Sequence, residues 1–549
     1  MKKALSKILA LILATLLVFG CTACGNSSGL PKNYTKLPDY SGTTDELKWL
    51  ACSGPMSGRF KIGGEWYDLG PDLRTKEGYT DYLDAGMNVV YLSGTAAECS
   101  PTFDESECKR AMVAAAEAGA EKILIADKRI WNLAEKNNLV GEGLTYPTYD
   151  DLKNKVKGYL SDYIEMDGFY GVSIYDEPVY EFTVSLRYIY NAVYDAWAEL
   201  VEEKNITKAI KDYIYIYICL LPYSSTYSRY GAPGQFTDMG EAYKHYIESY
   251  LSPTLEGIVD ENGEPIQFRT PDYMMVDVYA PRATGLSADY FVSVKTLKDA
   301  CEKYGTKPSF AITSFEMYNG NSKVYRGAYK SEMMLEIYSL LGTGYNGTIA
   351  WYTYQPAETL SSFGSFNEQF NFVTRSGKKT NIYYYAQDMM AKAKETAKIV
   401  LNYKYQGGRF FFADMPNYDT GIYVMGNSGT IKYDDPDSGE TVSKASALQI
   451  ANDYQFALLR TATFNNDALY ATELKDEKND LYMYMLQNVC DPAHGNVTDT
   501  FGTVKATFDS SYTHVAEIKD GRLSYVALNE GVYEEGLSAG QAVYLVPLK

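Results

Sequence analysis

The sequence predicts a parallel (β/α)8 TIM barrel followed by an all-β sandwich. Three observations predict it. Between residue 46 and about residue 355 one unit recurs: a short apolar strand, a helical stretch with apolar residues three and four apart, and a glycine that ends the helix before the next strand. Eight such strands are legible, the number that closes a barrel. From residue 396 the pattern changes to strand-like alternation punctuated by YQGG, NSG, DPDSG, NND, KDEKND and KDGR, the turn chemistry of a sandwich.

Taken in order, residues 1–20 read as a targeting segment, with Lys2, Lys3 and Lys7 ahead of an apolar run at 8–19. That run is too short to span a bilayer as a mature helix. It ends VFGC and resembles a bacterial lipoprotein signal, which implies cleavage before Cys21 and lipid on that cysteine; Cys24 is the poorer alternative. Residues 21–45 lack periodicity and read as a flexible tether. The expected location is therefore extracytoplasmic, lipid-anchored to the bacterial cell membrane, with no membrane contact beyond that anchor. The leader holds three of the chain's 51 basic residues and none of its 70 acidic ones, so the rest carries a net charge of −22. Such a balance argues against a nucleic-acid partner.

The barrel strands are expected at 47–52, 88–92, 122–126, 170–175, 213–220, 273–279, 308–313 and 347–353. Gly86, Gly119, Gly168, Gly305 and Gly344 stand where helices stop. Helices are expected at 106–118, 149–166, 186–203 and 329–341, and a last one from about Asn381 completes a catalytic domain at 46–395. Residues 396–549 form the sandwich. The structural alternative is a doubly wound open sheet, but no GxGxxG or GxxxxGK[ST] loop follows the first strand, and nothing points to a nucleotide.

Chemistry is expected at the C-terminal strand ends, where barrel loops converge. Strand four, in YGVSIYDEP, ends in the adjacent carboxylates Asp176 and Glu177, the kind of pair that acid–base attack on a glycosidic bond requires. The plain alternative is a helix-capping Asp beside a solvated Glu. The other ends bring Ser93 and Gly94, Asp127, Tyr223, Asp277 and Tyr279, Glu316, and Trp351 and Tyr354. Asp127 has a competing reading as the partner of Lys128 or Arg129, and Asp277, in VDVY, as a structural group inside the barrel. The 52 tyrosines suit either a large aromatic core or a sugar-stacking surface.

Three histidines lie far apart, so zinc sites and Ser-His-Asp triads have little material. Cys52, Cys219 and Cys301 sit in apolar contexts, and Cys99 and Cys108 bracket one loop in which they are able to pair. Asp434, Asp435, Asp437 and Glu440 share a loop in which a solvated hairpin is favoured over calcium. No metal or cofactor is expected.

Strand four ending in DEP, strand seven in Glu and strand eight in Trp resemble the large clan of barrel glycoside hydrolases. TRSGKKTNIYYYAQDMM is similar to the run that closes the barrel in β-galactosidase-like members, and LYMYMLQNV, GRLSYVAL and GQAVYLVPL resemble their appended sandwich. The resemblance implies Glu177 as acid/base and Glu316 as nucleophile of a retaining mechanism on an extracellular glycan. Asp127, Tyr223, Asp277, Tyr279, Trp351 and Tyr354 would then bind substrate. Asp176 departs from the clan, which commonly has Asn there. The Asp–Glu pair also resembles hexosaminidases, among them a β-N-acetylgalactosaminidase family with a DEP-type motif, in which the Asp orients the substrate's acetamido group as nucleophile. A rival of another class is a non-catalytic glycan-binding lipoprotein that binds through Tyr223, Tyr227, Trp351 and Tyr354. Solute capture for a transporter fits the anchor but not the sandwich.

Overall fold

The computed structural model describes residue 30, residues 32–40 and residues 47–549, apart from 63–64, 69–70, 94–106, 136–138, 224, 232–234, 237–238, 261, 284, 357–364, 413–421, 424–429, 435–440, 446–449, 452–453, 467 and 492–499. Residues 1–20, expected to be a leader, together with Cys21, Cys24, Gly94, Cys99 and the acidic loop at 435–440, lie outside the described residues.

Eight parallel strands form one sheet: β1 (Lys48–Ser53), β2 (Val90–Ser93), β3 (Ile123–Ala126), β4 (Phe169–Asp176), β5 (Tyr215–Leu220), β6 (Tyr273–Asp277), β7 (Lys307–Ile312) and β8 (Thr348–Thr353). They run in the spatial order β1-β8-β7-β6-β5-β4-β3-β2, so β1 and β2 are the two edges that must meet to close the barrel. Asn88 and a tyrosine make that seam. The backbone N–H groups of Asn88 and Val89 both donate to Trp49 O at 3.0 Å. The Asn88 carboxamide accepts from Trp49 N at 2.7 Å and donates to Leu47 O at 2.9 Å, standing in for a ladder. The Tyr82 hydroxyl accepts from Ala51 N and donates to Val89 O. The open-sheet alternative is excluded.

The helices that follow the strands are α1 (Lys76–Asp84), α2 (Glu107–Glu117), α3 (Lys128–Ala134), α4 (Tyr149–Leu160), α5 (Thr183–Glu203), α6 (Met239–Leu251), α7 (Ala288–Tyr304), α8 (Lys330–Gly342) and α9 (Asn381–Val400). All five glycines read as helix terminators have positive φ, from 74° to 111°. The barrel interior is filled by Leu50, Tyr91, Leu124, Tyr217, Met275 and Ala350, while residues one position away join the shell core under the helices. Nine of the twelve largest fully buried side chains are tyrosines, so the tyrosine excess is mainly core material.

A buried carboxylate ties the mouth loops to the shell. Glu336, on α8, accepts from Ala280 N and Thr313 Oγ1 with one oxygen and from Thr313 N with the other, and so holds the chain beyond both β6 and β7. It is fully buried, and burial pushes its pKa up to about 7 despite those donors. A raised folded pKa contributes stability that is complete below the ordinary glutamate range and lost as pH rises through 7; the full swing is on the order of 3 kcal/mol. Urea denaturation of Glu336→Gln is therefore expected to show a smaller fall in stability between pH 5 and 8 than wild type. An unchanged slope would contradict this origin.

The C-terminal domain is a sandwich. Its large sheet has the order β9 (Lys404–Phe412), β11 (Ala468–Asp476), β12 (Leu481–Asn488), β17 (Ala542–Leu548), β14 (His514–Lys519), β15 (Arg522–Ala527). The smaller sheet joins β10 (Thr461–Phe464), β13 (Gly502–Thr507) and β16 (Val532–Leu537). Along β12, Tyr484 and Leu486 face the core between the sheets, while Met483 and Met485 face the barrel. A sheet covered on both faces reads as a continuous apolar run, as LYMYML does. It docks tightly on α8: a Cβ at Gly342 would lie 2.1 Å from Met485 Sδ, and Gln487 donates to Leu335 O at 3.0 Å. Helix α9 runs to Val400, so the barrel's last element outlasts the expected boundary at 395.

The tether reading needs correction for residues 34–40. Thr35 Oγ1 donates to Lys549 O at 2.6 Å, Leu37 N to the Tyr525 hydroxyl at 3.0 Å, and the Tyr40 hydroxyl to Asp476 at 2.7 Å. Tyr34 packs edge-on to His514. Aromatic residues spaced through a polar stretch give it anchor points that mean hydropathy hides. Among the described residues no helix is long and apolar enough to cross a membrane.

Candidate active site

The site grows from the end of β4. Gly171 lets β4 approach β5, since a Cβ there would lie 1.8 Å from Tyr215 O. The β4–β5 register shifts between Ser173 and Tyr175, which sets Asp176 opposite Cys219 at the mouth. Glu177 then leaves the sheet in the left-handed region, φ 48°, with its N–H donating to Cys219 O at 2.8 Å. For a non-glycine residue this conformation costs roughly 1–3 kcal/mol and persists only where its surroundings impose it. They do so here: α6 holds the next two carbonyls, Tyr246 donating to Pro178 O at 2.5 Å and Tyr250 to Val179 O at 3.0 Å.

Asp277 ends β6 and joins the pair. Tyr279 donates to its Oδ2 at 3.1 Å, while its Oδ1 is buried without a hydrogen-bond partner among the described residues. Burial, then the charges of Glu177 and Asp176, hold Asp277 well above the usual carboxylate range. Asp176 opens to solvent but sits in a crowded cup; that crowding and the charge of Glu177 push it up to about 7, with Lys128 opposing. Burial raises Glu177, and Arg229 opposes. Three carboxyls in one cup cannot all ionise together, so the cup retains protons near neutrality and the adjacent pair titrates as a unit.

The floor is made of Tyr91, Tyr217, Cys52, Cys219 and Met275. One wall is a five-stranded sheet made from the loops beyond β6, β7 and β8, in the order Gly285–Leu286, Pro281–Arg282, Ser322–Tyr325, Met317–Asn319, Ser365–Phe366. It gathers aromatic rings around Tyr279, with centroids at 5.0 Å for Phe315, 5.2 Å for Tyr352 and 5.6 Å for Tyr325.

Among the residues expected here, the structure brings together Asp176, Glu177, Asp277 and Tyr279. Asp127 is corrected: it is fully buried, caps α3 through Arg129 N, pairs with the Arg129 guanidinium at 2.7 Å and accepts from Tyr163 at 2.6 Å. Trp351 is corrected too. Ala350 points into the barrel, so period two turns Trp351 outward, onto Trp49 and Phe372. Tyr354 is buried beside Tyr82 and Phe372, and Tyr223 is buried against Tyr243. Tyr227 lies in the short 3-10 turn Tyr227–Arg229.

Glu316 is 4% exposed and fully engaged. Tyr318 and Asn367 donate to one oxygen at 2.8 and 2.9 Å; Lys323 and Gly327 N donate to the other at 2.8 and 3.1 Å. These donors come from three segments of the aromatic wall, and they hold its carboxylate below the ordinary range. The sequence reading missed Tyr352, Tyr325, Arg229 and Arg282. Tyr352 was recoverable by counting from Ala350; the others stand on loops with no periodicity to follow.

No family model and no curated protein matches the sequence. Among solved structures, the chain is similar to a glycoside hydrolase at 12% identity and TM-score 0.44, covering 92% of this chain and 93% of the other. A glycoside hydrolase family 5 protein from Bacteroides vulgatus matches at 9% identity and TM-score 0.43, covering 92% and 89%. A GH30 endoxylanase from Clostridium papyrosolvens matches at 11% identity and TM-score 0.38, covering 92% and 98%. Barrel and sandwich rest on their own strand pairing, and the chemistry on the residues of the mouth.

Proposed function

We propose that the chain is a glycoside hydrolase acting on 2-acetamido sugars, with Glu177 as acid/base and Asp176 holding the substrate's acetamido group as nucleophile. One observation carries this reading. Of the five strand-end carboxylates Asp127, Asp176, Glu177, Asp277 and Glu316, only the neighbours Asp176 and Glu177 are open to the cup. Glu316 has every acceptor position filled, and Asp277 has one oxygen sealed and the other bonded to Tyr279. A retaining pair needs a second carboxylate across the sugar from the acid, about 5–5.5 Å away. Among the described residues no protein oxygen is free to attack from there, and the substrate's own carbonyl oxygen supplies the bond.

Glu177 gives its proton to the glycosidic oxygen as the C1–O bond breaks. The acetamido oxygen closes on C1, the nitrogen gains positive character, and the Asp176 carboxylate accepts the N–H bond and stabilises that charge. Water then attacks C1, breaking its bond to the acetamido oxygen, and gives its proton to Glu177, now the base. Asp277, protonated beside the pair, keeps a third negative charge out of the cup. The same proposal takes residues 1–20 as a leader and Cys21 as lipid-anchored, which supports an extracellular glycan as the substrate.

The test is turnover by purified residues 25–549 on matched aryl glycosides with a 2-acetamido or a 2-hydroxyl group. Hydrolysis is expected for the acetamido member alone. Comparable rates on both would return the nucleophile to the protein.

A further inference from the structure

We infer that the glycan carries an anionic substituent, a carboxylate or a sulfate ester, and that Arg229 and Arg282 receive it at the cup. This inference rests on the hydrolase reading. The Arg282 guanidinium lies 4.3 Å over the Tyr325 ring, part of the aromatic wall, and is half-buried there. Arg229 lies beside the acid loop, donating to Glu177 O at 3.5 Å and to Ser225 Oγ at 3.3 Å. Among the described residues neither guanidinium has a carboxylate at ion-pairing distance; Asp289 is the acid whose charge Arg282 influences.

Acidic residues outnumber basic ones by 70 to 51, and several other arginines are ion-paired: Arg129 with Asp127 and Asp162, Arg326 with Asp491, Arg110 with Asp72. Two half-buried guanidiniums without a carboxylate at ion-pairing distance among the described residues retain N–H groups for a planar or tetrahedral oxyanion. Stacking on Tyr325 holds one fork in place while leaving its edge N–H groups free. The Tyr325 ring offsets part of the desolvation of Arg282, and Glu177 O and Ser225 Oγ part of that of Arg229; an oxyanion would add charge-assisted bonds that these contacts lack.

The test is calorimetric binding to the mature chain of three oligosaccharides with one backbone: neutral, uronate-bearing and sulfated. Turnover is read separately. One anionic ligand is expected to bind about 10-fold tighter than the neutral one, and Arg282→Gln or Arg229→Gln to remove most of that preference, with a smaller loss of neutral binding than of anionic binding. The arm showing the preference identifies carboxylate or sulfate. Arg282→Lys, which keeps the charge but not the fork, is expected to restore it only in part. Equal binding of all three ligands, or equal loss of neutral and anionic binding in the variants, overturns the inference. Turnover without anionic preference defeats the inference and leaves the hydrolase reading standing. Anionic preference without turnover of any ligand defeats the hydrolase reading instead.

Discussion

Glu177→Gln is expected to lower kcat/KM on an alkyl glycoside by about 10³-fold, the range of a lost general acid. Glutamine keeps the shape and the backbone contact to Cys219 O, but its amide has no proton to give the leaving oxygen. The leaving group provides an internal control. A nitrophenolate departs without much help, so the loss should be far smaller on nitrophenyl substrates than on alkyl ones. The pH profile gives a second. Glu177 acts protonated, so wild-type activity falls on the alkaline side as that proton is lost, and the limb should vanish in Glu177→Gln. Equal losses on both leaving groups, with the limb intact, would remove Glu177 from the acid role.

Asp176→Asn is expected to cost about 100–1000-fold in kcat, because it removes the charge that stabilises a developing oxazolinium. It also removes a negative neighbour from Glu177. That neighbour disfavours ionisation, so the Glu177 pKa drops in the variant and the alkaline limb shifts to lower pH. Glu316→Gln should behave differently. It breaks the Lys323 pair and loosens the wall around Tyr279, raising KM while kcat stays within about 3-fold, as loss of uniform binding does. A nucleophile would show the opposite: kcat collapse in Glu316→Gln and mild effects in Asp176→Asn. The two variants assayed together decide between a protein nucleophile and a substrate one.

Much of this was legible before folding. Eight strands, five helix-ending glycines and the change of period near residue 400 are local signals, set by backbone sterics and by which side of each element meets the core. The DEP end of β4 was legible too, because a barrel gives every strand end the same address. Which side chains reach the cup was decided only in three dimensions. Trp351 and Tyr352 are neighbours, and one residue of phase sends the first to the shell and the second to the mouth. Asp127 and Glu316 share a residue type and a strand-end position with the working pair. Arg129 claimed one, and Tyr318, Asn367, Lys323 and Gly327 claimed the other, from positions up to 51 residues away in the chain. The same holds for Thr35 on Lys549 and Tyr40 on Asp476. Local propensity acts between residues a turn apart. A carboxylate's free oxygens, and therefore its chemistry, depend on whichever donors the whole fold delivers to it.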